Sequence, residues 1–568
     1  MKRIDLHVHS IHSEHPSEWF MQRLGAKESY TDPETVLRMA LERGMDFVTI
    51  TDHNRIEGAL LLKARYPDRV IVGVETTTYF PEDGCKIHLL LYGLDEHRFR
   101  MVEKLRPNIY RLRDYIREEG IAHSVAHATY PVNNRLTVAH LEKLILLFDV
   151  FEVINGGRNS YFNNAWKEVL SRLTPAHIER LQRKHHIAPF SSTPWVKGFT
   201  AGSDDHGGLF IGNTYTLVEA HTPEEVLDRI REKRTQAAGA HGSYRSLVFS
   251  VYKVAYDFLT SGGGGGGGGR SLFLSLSRQI FEGARPSLRE RALYSHLRRK
   301  LRGQKMGEIL DELVRDISGK ETALSEARLE RVFLHVRRVS DAFLGMLAGR
   351  VAGALLDGDL VDLLVGLSSS LPGLYLIAPF FSSLRHMYAH RDLIDGIRSS
   401  LGIQEPPSAA SRVLWFSEDC RPDPSVIRIL APRAHVLPVT PSPSLPGTSL
   451  PIVAEIPLDP GFSLPLPSPL GAAELLSREQ PDHLVFTAAD PVALVCLFLG
   501  RLIGASTTFV FDPRGEGHPV AHTLTTHLLR HTDRIVVHTE EAAARAEGEG
   551  ADPSKIHLAP SAAEPVGV

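Results

Sequence analysis

Arg3-Ile-Asp-Leu-His-Val-His9 sets a short apolar lead in front of two imidazoles. On an extended strand, residues two apart share a face, so His7 and His9 point the same way. Two histidines alone are weak evidence for a metal. The same grammar then recurs along the first part of the chain. It is found in Phe47-Val-Thr-Ile-Thr-Asp-His53, Val70-Ile-Val-Gly-Val-Glu75 and Lys86-Ile-His-Leu-Leu-Leu-Tyr92. It returns in Ile121-Ala-His-Ser-Val-Ala-His127, Val150-Phe-Glu-Val-Ile-Asn155 and Phe199-Thr-Ala-Gly-Ser-Asp-Asp-His206. β-Branched and apolar residues carry each run, and metal-ligand residue types sit in it or at its end. Helical stretches separate the runs. Seven such strands predict an α/β barrel, whose C-terminal rim gathers residues distant in sequence into one pocket.

Composition narrows the class. A length of 568 residues predicts several domains. Apolar content of 43% and charged content of 23% are ordinary for a globular protein. A net charge of −3 gives no reason to expect a protein that coats nucleic acid. Cys85, Cys420 and Cys496 are far apart and form no CxxC pair. That spacing argues against a disulfide framework or a thiolate zinc site and fits a reducing compartment. The N-terminal residues hold no apolar signal core, so a cytoplasmic location is expected. The long uncharged stretch Leu363 to Leu384 is broken by Ser368–Ser370, Pro372 and Pro379. It is expected to be a buried helical hairpin and not a transmembrane segment.

The chain divides by pattern. Strand and helix alternate through residues 1–259. Thr31-Asp-Pro-Glu opens a helix with a cap and an early Pro, and Gly44 closes it. Thr222-Pro-Glu-Glu repeats that opening. Residues 260–270 hold the run Gly262–Gly269, which reads as a linker because glycine has no side chain to pack. With all the ligand candidates ahead of it, a chain ending near Leu259 is expected to fold alone. Residues 271–404 read as helical, with Leu329, Val332, Phe333 and Val336 at core spacing. Arg298, Arg299, Lys300 and Arg302 read as a solvated face. Residues 410–568 return to alternation, with strands at Val413–Phe416, His435–Val439, His483–Thr487, Thr508–Phe511 and Arg534–His538. This predicts a Rossmann-like parallel sheet. No GxGxxG follows its first strand, so a dinucleotide site has no support.

The ligand-type residues occur in one order: Asp5-Leu-His-Val-His-Ser10, Thr51-Asp-His-Asn54, Gly73-Val-Glu75, His88, Ala126-His127 and Gly202-Ser-Asp-Asp-His206. In this order residues 1–245 resemble the polymerase and histidinol phosphatase (PHP) superfamily. The resemblance implies a distorted (β/α)7 barrel that holds up to three metals and acts on phosphate esters. It assigns one ion to His7, His9, Glu75 and Asp204. A second falls to Glu75, His88 and His127, with Glu75 bridging. A third falls to His53, His206 and a residue of the turn after the first strand. Within that turn, some family members place an Asp where Glu14 stands and others a His where His15 stands; His15 is preferred here. The family's fourth motif is usually His-Pro, whereas Ala128 follows His127. Glu75, Asp204 and His206 are the expected catalytic residues.

Neighbouring residues carry weaker expectations. His123 is expected in the core or behind the ligands. Asp52 either orients His53 or caps the following helix. Asp205 should point away from Asp204. His12, His97, His140, His185 and His186 read as surface histidines. Asn155, Arg158 and Asn159 either bind a phosphate oxygen or shape a turn, and Arg158 and Asn155 are the substrate-binding candidates. His241 has no assigned role. Imidazole and carboxylate without thiolate suit two to three divalent ions of Zn, Mn or Fe. Such ions activate water and neutralise phosphoryl oxygens. The expected reaction is hydrolysis of a phosphate ester by metal-activated hydroxide. Candidate substrates are a small phosphomonoester, a nucleotide or an oligonucleotide end.

The last region resembles the N-terminal lobe of a GT-B glycosyltransferase of family 4. Asp482-His-Leu-Val-Phe-Thr, Leu499-Gly-Arg-Leu-Ile-Gly504 and Asp533-Arg-Ile-Val-Val-His-Thr-Glu-Glu541 carry that resemblance. In such enzymes a second lobe grips the nucleotide-sugar. This sequence does not contain that lobe, so no sugar transfer is expected of it. An acceptor or a protein partner is expected for the lobe that is present. The rival readings are a glycosyltransferase-related protein with an auxiliary barrel, and a noncatalytic metal-stabilised scaffold.

Overall fold

A computed structural model describes residues 1–13, 27–261, 268–300, 305–317, 326–357, 378–403, 410–417, 421–431, 433–440, 448–459, 462–513 and 519–559. The chain forms two units. Met1–Pro286 and His390–Glu405 belong to the first, and most of the remainder belongs to the second.

The first unit is built on a nine-stranded sheet. Its strands are β1 (Lys2–Asp5), β2 (Phe47–Ile50), β3 (Val70–Tyr79), β4 (Lys86–Tyr92), β5 (Ala122–Val125), β6 (Val150–Asn155), β7 (Gly198–Gly202), β8 (Thr214–Val218) and β9 (Thr235–Gly239). Their order is β7-β6-β5-β4-β3-β2-β1-β8-β9. All seven predicted runs are present, and β4 and β6 match the predicted bounds. Two further strands, β8 and β9, continue the sheet beyond β1 as an antiparallel pair. The distortion has a local cause. Only Phe80 to Cys85 connects β3 to β4, too few residues for a crossover helix, so the pair is antiparallel. β5 then pairs antiparallel with β4.

Threonines draw the two ends of the sheet together. Thr216 Oγ1 accepts from Ala201 N at 2.8 Å and lies 2.9 Å from Ala201 O. Thr235 Oγ1 donates to Phe199 O at 2.7 Å. The sheet is therefore nearly closed, and its strand ends share one rim.

Helices cover the outside as the sequence predicts. Helix Pro33–Glu42 is capped by Asp32, and helix Pro223–Arg231 by Thr222, each with Pro in the first turn. A helix from much later in the chain, Arg391–Leu401, also packs here. Its Leu393, Ile397 and Leu401 join the main barrel core, and Ile394 packs with Phe162 and Ala165. Gly396 permits the close approach: a Cβ there would stand 2.5 Å from Val138 Cγ2. Arg398 bonds Glu168 at 2.8 Å, and Ser400 donates to buried Glu142.

The second unit holds a seven-stranded, wholly parallel sheet. Its strands are β10 (Ser411–Phe416), β11 (Ala434–Thr440), β12 (Thr448–Ser449), β15 (His483–Phe486), β16 (Ser506–Val510), β17 (Arg534–Val537) and β18 (Ile556–Leu558). The order β12-β11-β10-β15-β16-β17-β18 reverses direction at β10. This is the doubly wound arrangement the sequence predicts. A separate hairpin, β13 (Ile452–Asp459) with β14 (Phe462–Pro467), lies outside the strands read from the sequence; prolines interrupt its pattern. Helices Lys305–Ile317 and Glu326–Asp357 lie in this unit, and Leu329, Val332 and Phe333 are buried as expected. Val336 is half-buried. Arg298 pairs with Asp311 on an exposed face.

Several expectations fall on residues outside the described ones: Glu14, His15, Arg302, Cys420, most of Gly262–Gly269, and most of Leu363–Leu384. Among the described residues, no helix is long and apolar enough to cross a membrane.

Candidate metal centre

One carboxylate organises the rim. Glu75 lies within β3 and is 1% exposed. Its Oε2 stands 3.2 Å from His7 Nε2, 3.3 Å from His9 Nε2 and 3.1 Å from His53 Nδ1. Its Oε1 stands 2.7 Å from His88 Nδ1 and 3.1 Å from His127 Nε2. Five imidazoles from four segments therefore surround one carboxyl group. Asp204 closes the other side, with Oδ1 at 3.4 Å from Nε2 of both His7 and His9. His206 stacks on His9 with ring centroids 4.1 Å apart.

The backbone is shaped to bring these groups in. Gly202 lets β7 approach the end of β1, since a Cβ there would fall 2.3 Å from His7 Cβ. Asp204 N then donates to His7 O at 2.7 Å. Asp204 has φ of 51° and His127 has φ of 28°. Left-handed backbone at non-glycine residues is uncommon and costs energy; it clusters at functional sites.

The residues present fit metal ions. Charge-assisted hydrogen bonds run at roughly 2.7–2.9 Å. Most distances here exceed that. Two atoms each about 2.1 Å from one zinc-sized ion stand roughly 3–3.5 Å apart. Moreover, His7 Nε2, His9 Nε2 and Glu75 Oε2 are buried and make no hydrogen bond. Such atoms are costly to bury unless something else satisfies them. Four triads have ligand atoms close enough for a shared ion: His7, His9 and Glu75; His7, His127 and Asp204; His53, Glu75 and His88; His9, His53 and His206.

Electrostatics point the same way. Burial alone would raise the Glu75 carboxyl, but His53, His88 and His7 hold it well below the usual range. Asp204 is likewise held low against its burial, chiefly by His7 and His9. Burial would lower His53, yet Glu75 and Glu28 outweigh it and lift the imidazole to about 10. His206 rises to about 9 for the same reason, mainly through Glu28. The carboxylates thus demand positive charge, which protons or metal ions can supply.

Two carboxylates in this set were not identified from the sequence. Glu152 is buried on β6, with Oε1 3.0 Å from His7 Nδ1. Its Oε2 accepts from His127 N at 2.9 Å and from Asn155 Nδ2 at 2.8 Å. A signal for it existed, since a charged residue inside Val150-Phe-Glu-Val-Ile needs a buried partner. Glu28 stands 3.2 Å from His53 Nε2 and 3.5 Å from His206 Nε2. Nothing in its local sequence marks it.

The other named residues sort clearly. Asn155 Nδ2 also donates to Asp204 Oδ2 at 3.1 Å. The Arg158 guanidinium lies 4.7 Å over the Tyr130 ring, and that ring meets His127 edge-on at 5.7 Å. Burial lowers Arg158 to about 10. Asn159 caps helix Ser160–Ser171. Asp52 binds Ser10 N at 2.6 Å and Ser13 Oγ at 3.1 Å, so it locks the turn after β1. Ser13 in turn holds His9 Nδ1 at 3.0 Å. Asp205 accepts from Leu209 N and Phe210 N, away from the cluster. His123 packs against Phe148 and Phe190. His241 Nδ1 meets Asn163 Nδ2 at 3.0 Å. Two expected surface histidines are not on the surface: His140 is buried beside Asp83, and His185 pairs with buried Glu142 at 2.6 Å.

No family model matches the chain. An uncharacterised protein of Methanocaldococcus jannaschii is 32% identical over 79 residues, which cover 13% of this chain and 44% of that protein. The chain thus spans less than half the length of this curated relative. Among solved structures, a candidate metal-dependent phosphoesterase of Bifidobacterium adolescentis aligns at 18% identity and a TM-score of 0.23. That alignment covers 40% of this chain and 96% of the other. Anabaena HepE bound to UDP-glucose aligns at 8% identity and a TM-score of 0.19, over 26% of this chain and 43% of its own. UDP-GlcNAc 2-epimerase of M. jannaschii aligns at 16% identity and a TM-score of 0.18, over 26% of this chain and 44% of its own. At such scores none decides the fold or the activity.

Proposed function

We propose that the chain is a metal-dependent phosphoesterase whose chemistry lies in residues 1–259. The observation that carries this reading is the convergence of five imidazoles on the buried Glu75 carboxylate. On this reading His7, His9, His53, Glu75, His88, His127, Asp204 and His206, with one more ligand from the segment after β1, hold two to three divalent ions. Bound ions supply an activated water and offset the charge of the phosphoryl oxygens.

The chain's own residues do the rest. Glu152 accepts from His7 Nδ1–H, which leaves Nε2 free to ligate. Ser13 fixes the His9 ring in the same sense. Asn155 steadies Asp204 by donating to Oδ2. Arg158 donates to a phosphoryl oxygen, with its guanidinium 4.7 Å over the Tyr130 ring. His206 closes the half-open side of the cluster, where the leaving oxygen takes up its proton. The substrate is a small phosphomonoester, a nucleotide or an oligonucleotide end.

The test has two stages. Elemental analysis of metal-replete protein should give two to three equivalents of Zn, Mn or Fe per chain. A panel of phosphomonoesters and phosphodiesters should then show metal-dependent turnover. Absence of bound metal after replete expression overturns the reading.

A second reading rests on the parallel sheet of the other unit. There, the parallel sheet belongs to a GT-B-like lobe that receives an acceptor or a protein partner, and the barrel is auxiliary. Turnover with nucleotide-sugars, and none with phosphoesters, would favour it.

A further inference from the structure

We propose that Glu28 is the acidic ligand of the ion held by His53 and His206, in the role that the sequence assigns to the turn after β1. This rests on the metal-dependent reading above and names a ligand for one of its ions.

The placement of Glu28 is built, not incidental. Its segment folds back onto the turn that follows β1. Glu28 N donates to Ser13 O at 3.1 Å, and Ile11 N donates to Thr31 O at 2.8 Å. Lys27 Nζ donates to Ile11 O at 3.2 Å. These bonds pin the segment on both sides of Glu28. The carboxyl group then reaches into the cluster, with a side chain 12% exposed.

The distances favour a shared ion over direct pairing. Oε2 lies 3.2 Å from His53 Nε2, and Oε1 lies 3.5 Å from His206 Nε2. A direct charge-assisted bond would be roughly 2.7–2.9 Å. Ligand atoms around one ion stand roughly 3–3.5 Å apart. Tautomers agree with this. His53 Nδ1 faces Glu75 Oε2 at 3.1 Å, and His206 Nδ1 faces Asp204 O at 3.0 Å. With Nδ1 donating to that carbonyl, the His206 Nε2 lone pair faces Glu28.

The chemistry has a consequence for the third ion. A carboxylate in place of the neutral His15 imidazole adds one negative charge to its cage. It also shifts the donor set toward oxygen, which favours harder ions.

The experiment uses the full-length chain. Metal content is measured by elemental analysis after dialysis for wild type, Glu28→Gln, His206→Gln, the double variant, and His15→Ala. Circular dichroism verifies folding. Glu28→Gln should lose about one equivalent, and His15→Ala should keep the wild-type count. The double variant should lose no more than either single one, since both remove arms of one cage. Glu28→Gln that keeps every equivalent overturns the proposal, as does a double variant that loses two. A wild-type chain without metal is a different outcome, and it removes the phosphoesterase reading itself.

Discussion

Glu152 Oε1 stands 3.0 Å from His7 Nδ1, with both side chains buried. The bond fixes which ring nitrogen of His7 faces the cluster. Glu152→Ala should therefore weaken metal retention about 10- to 100-fold, the usual cost of removing a carboxylate behind a ligating histidine. Competition with a chromophoric chelator measures it. Unchanged metal affinity would mean that Glu152 only fills space.

Asp204→Ala removes a group that faces both His7 and His9. It should lose one ion and cost several kcal/mol of transition-state stabilisation, so at least about 100-fold in kcat/KM. His97→Ala alters an exposed helix residue and should change neither. Equal effects from the two would show that the ligand assignment is wrong.

Arg158→Met tests substrate contact apart from metal binding. Hydrogen bonds to charged groups are worth about 1.5–3 kcal/mol, so kcat/KM should fall roughly 10- to 100-fold. Metal content should stay at the wild-type value. Loss of metal together with activity would place Arg158 in the scaffold instead.

His123 gives a prediction about acid. Burial pushes its imidazole from 6.5 down to about 4, while Asp149, Lys197 and Lys233 act on it through space. Between those values the unfolded chain carries the proton and the folded chain does not, so protons favour unfolding. The contribution is complete above about pH 6.5 and is lost as pH falls toward 4. Its size is about 3 kcal/mol. His123→Phe keeps the packing against Phe148 and Phe190. Its urea midpoint should fall less between pH 6.5 and 4 than that of wild type. Parallel pH profiles would refute the assignment.

Ile397 is fully buried in the barrel core. Ile397→Ala should cost about 2–4 kcal/mol, read from urea denaturation of the first unit. A chain ending near Leu259, which the sequence suggests is self-sufficient, lacks this whole helix. It should unfold at lower urea than the full-length chain. An equal midpoint would show that the helix contributes nothing.

The sequence made the barrel legible because ligand types sit in or just after its strands. His7, His9, His53, Glu75, His88, His127, Asp204 and His206 could be placed by order alone. What it hid follows from physics that spacing does not carry. Glu28 reaches the cluster on a segment that bonds back to Ile11 and Ser13, which no periodicity announces. β8 and β9 are short and partly exposed, so their alternation is faint. His140 and His185 look polar in sequence, yet His140 is buried and His185 half-buried beside partners, Asp83 and Glu142, that are distant in sequence. Helix Arg391–Leu401 has an ordinary amphipathic pattern, and pattern does not say which core it joins.

That last helix has a consequence for synthesis. Helix Tyr244–Thr260 leaves the ribosome well before Arg391 does. At roughly 5–20 residues per second, the interval is about 7 to 26 s. Throughout it, the groove that will take Ile394, Ile397 and Leu401 faces water. The nascent chain therefore presents a sticky surface to chaperones and to other nascent chains, and it buries that surface only when residues far downstream arrive.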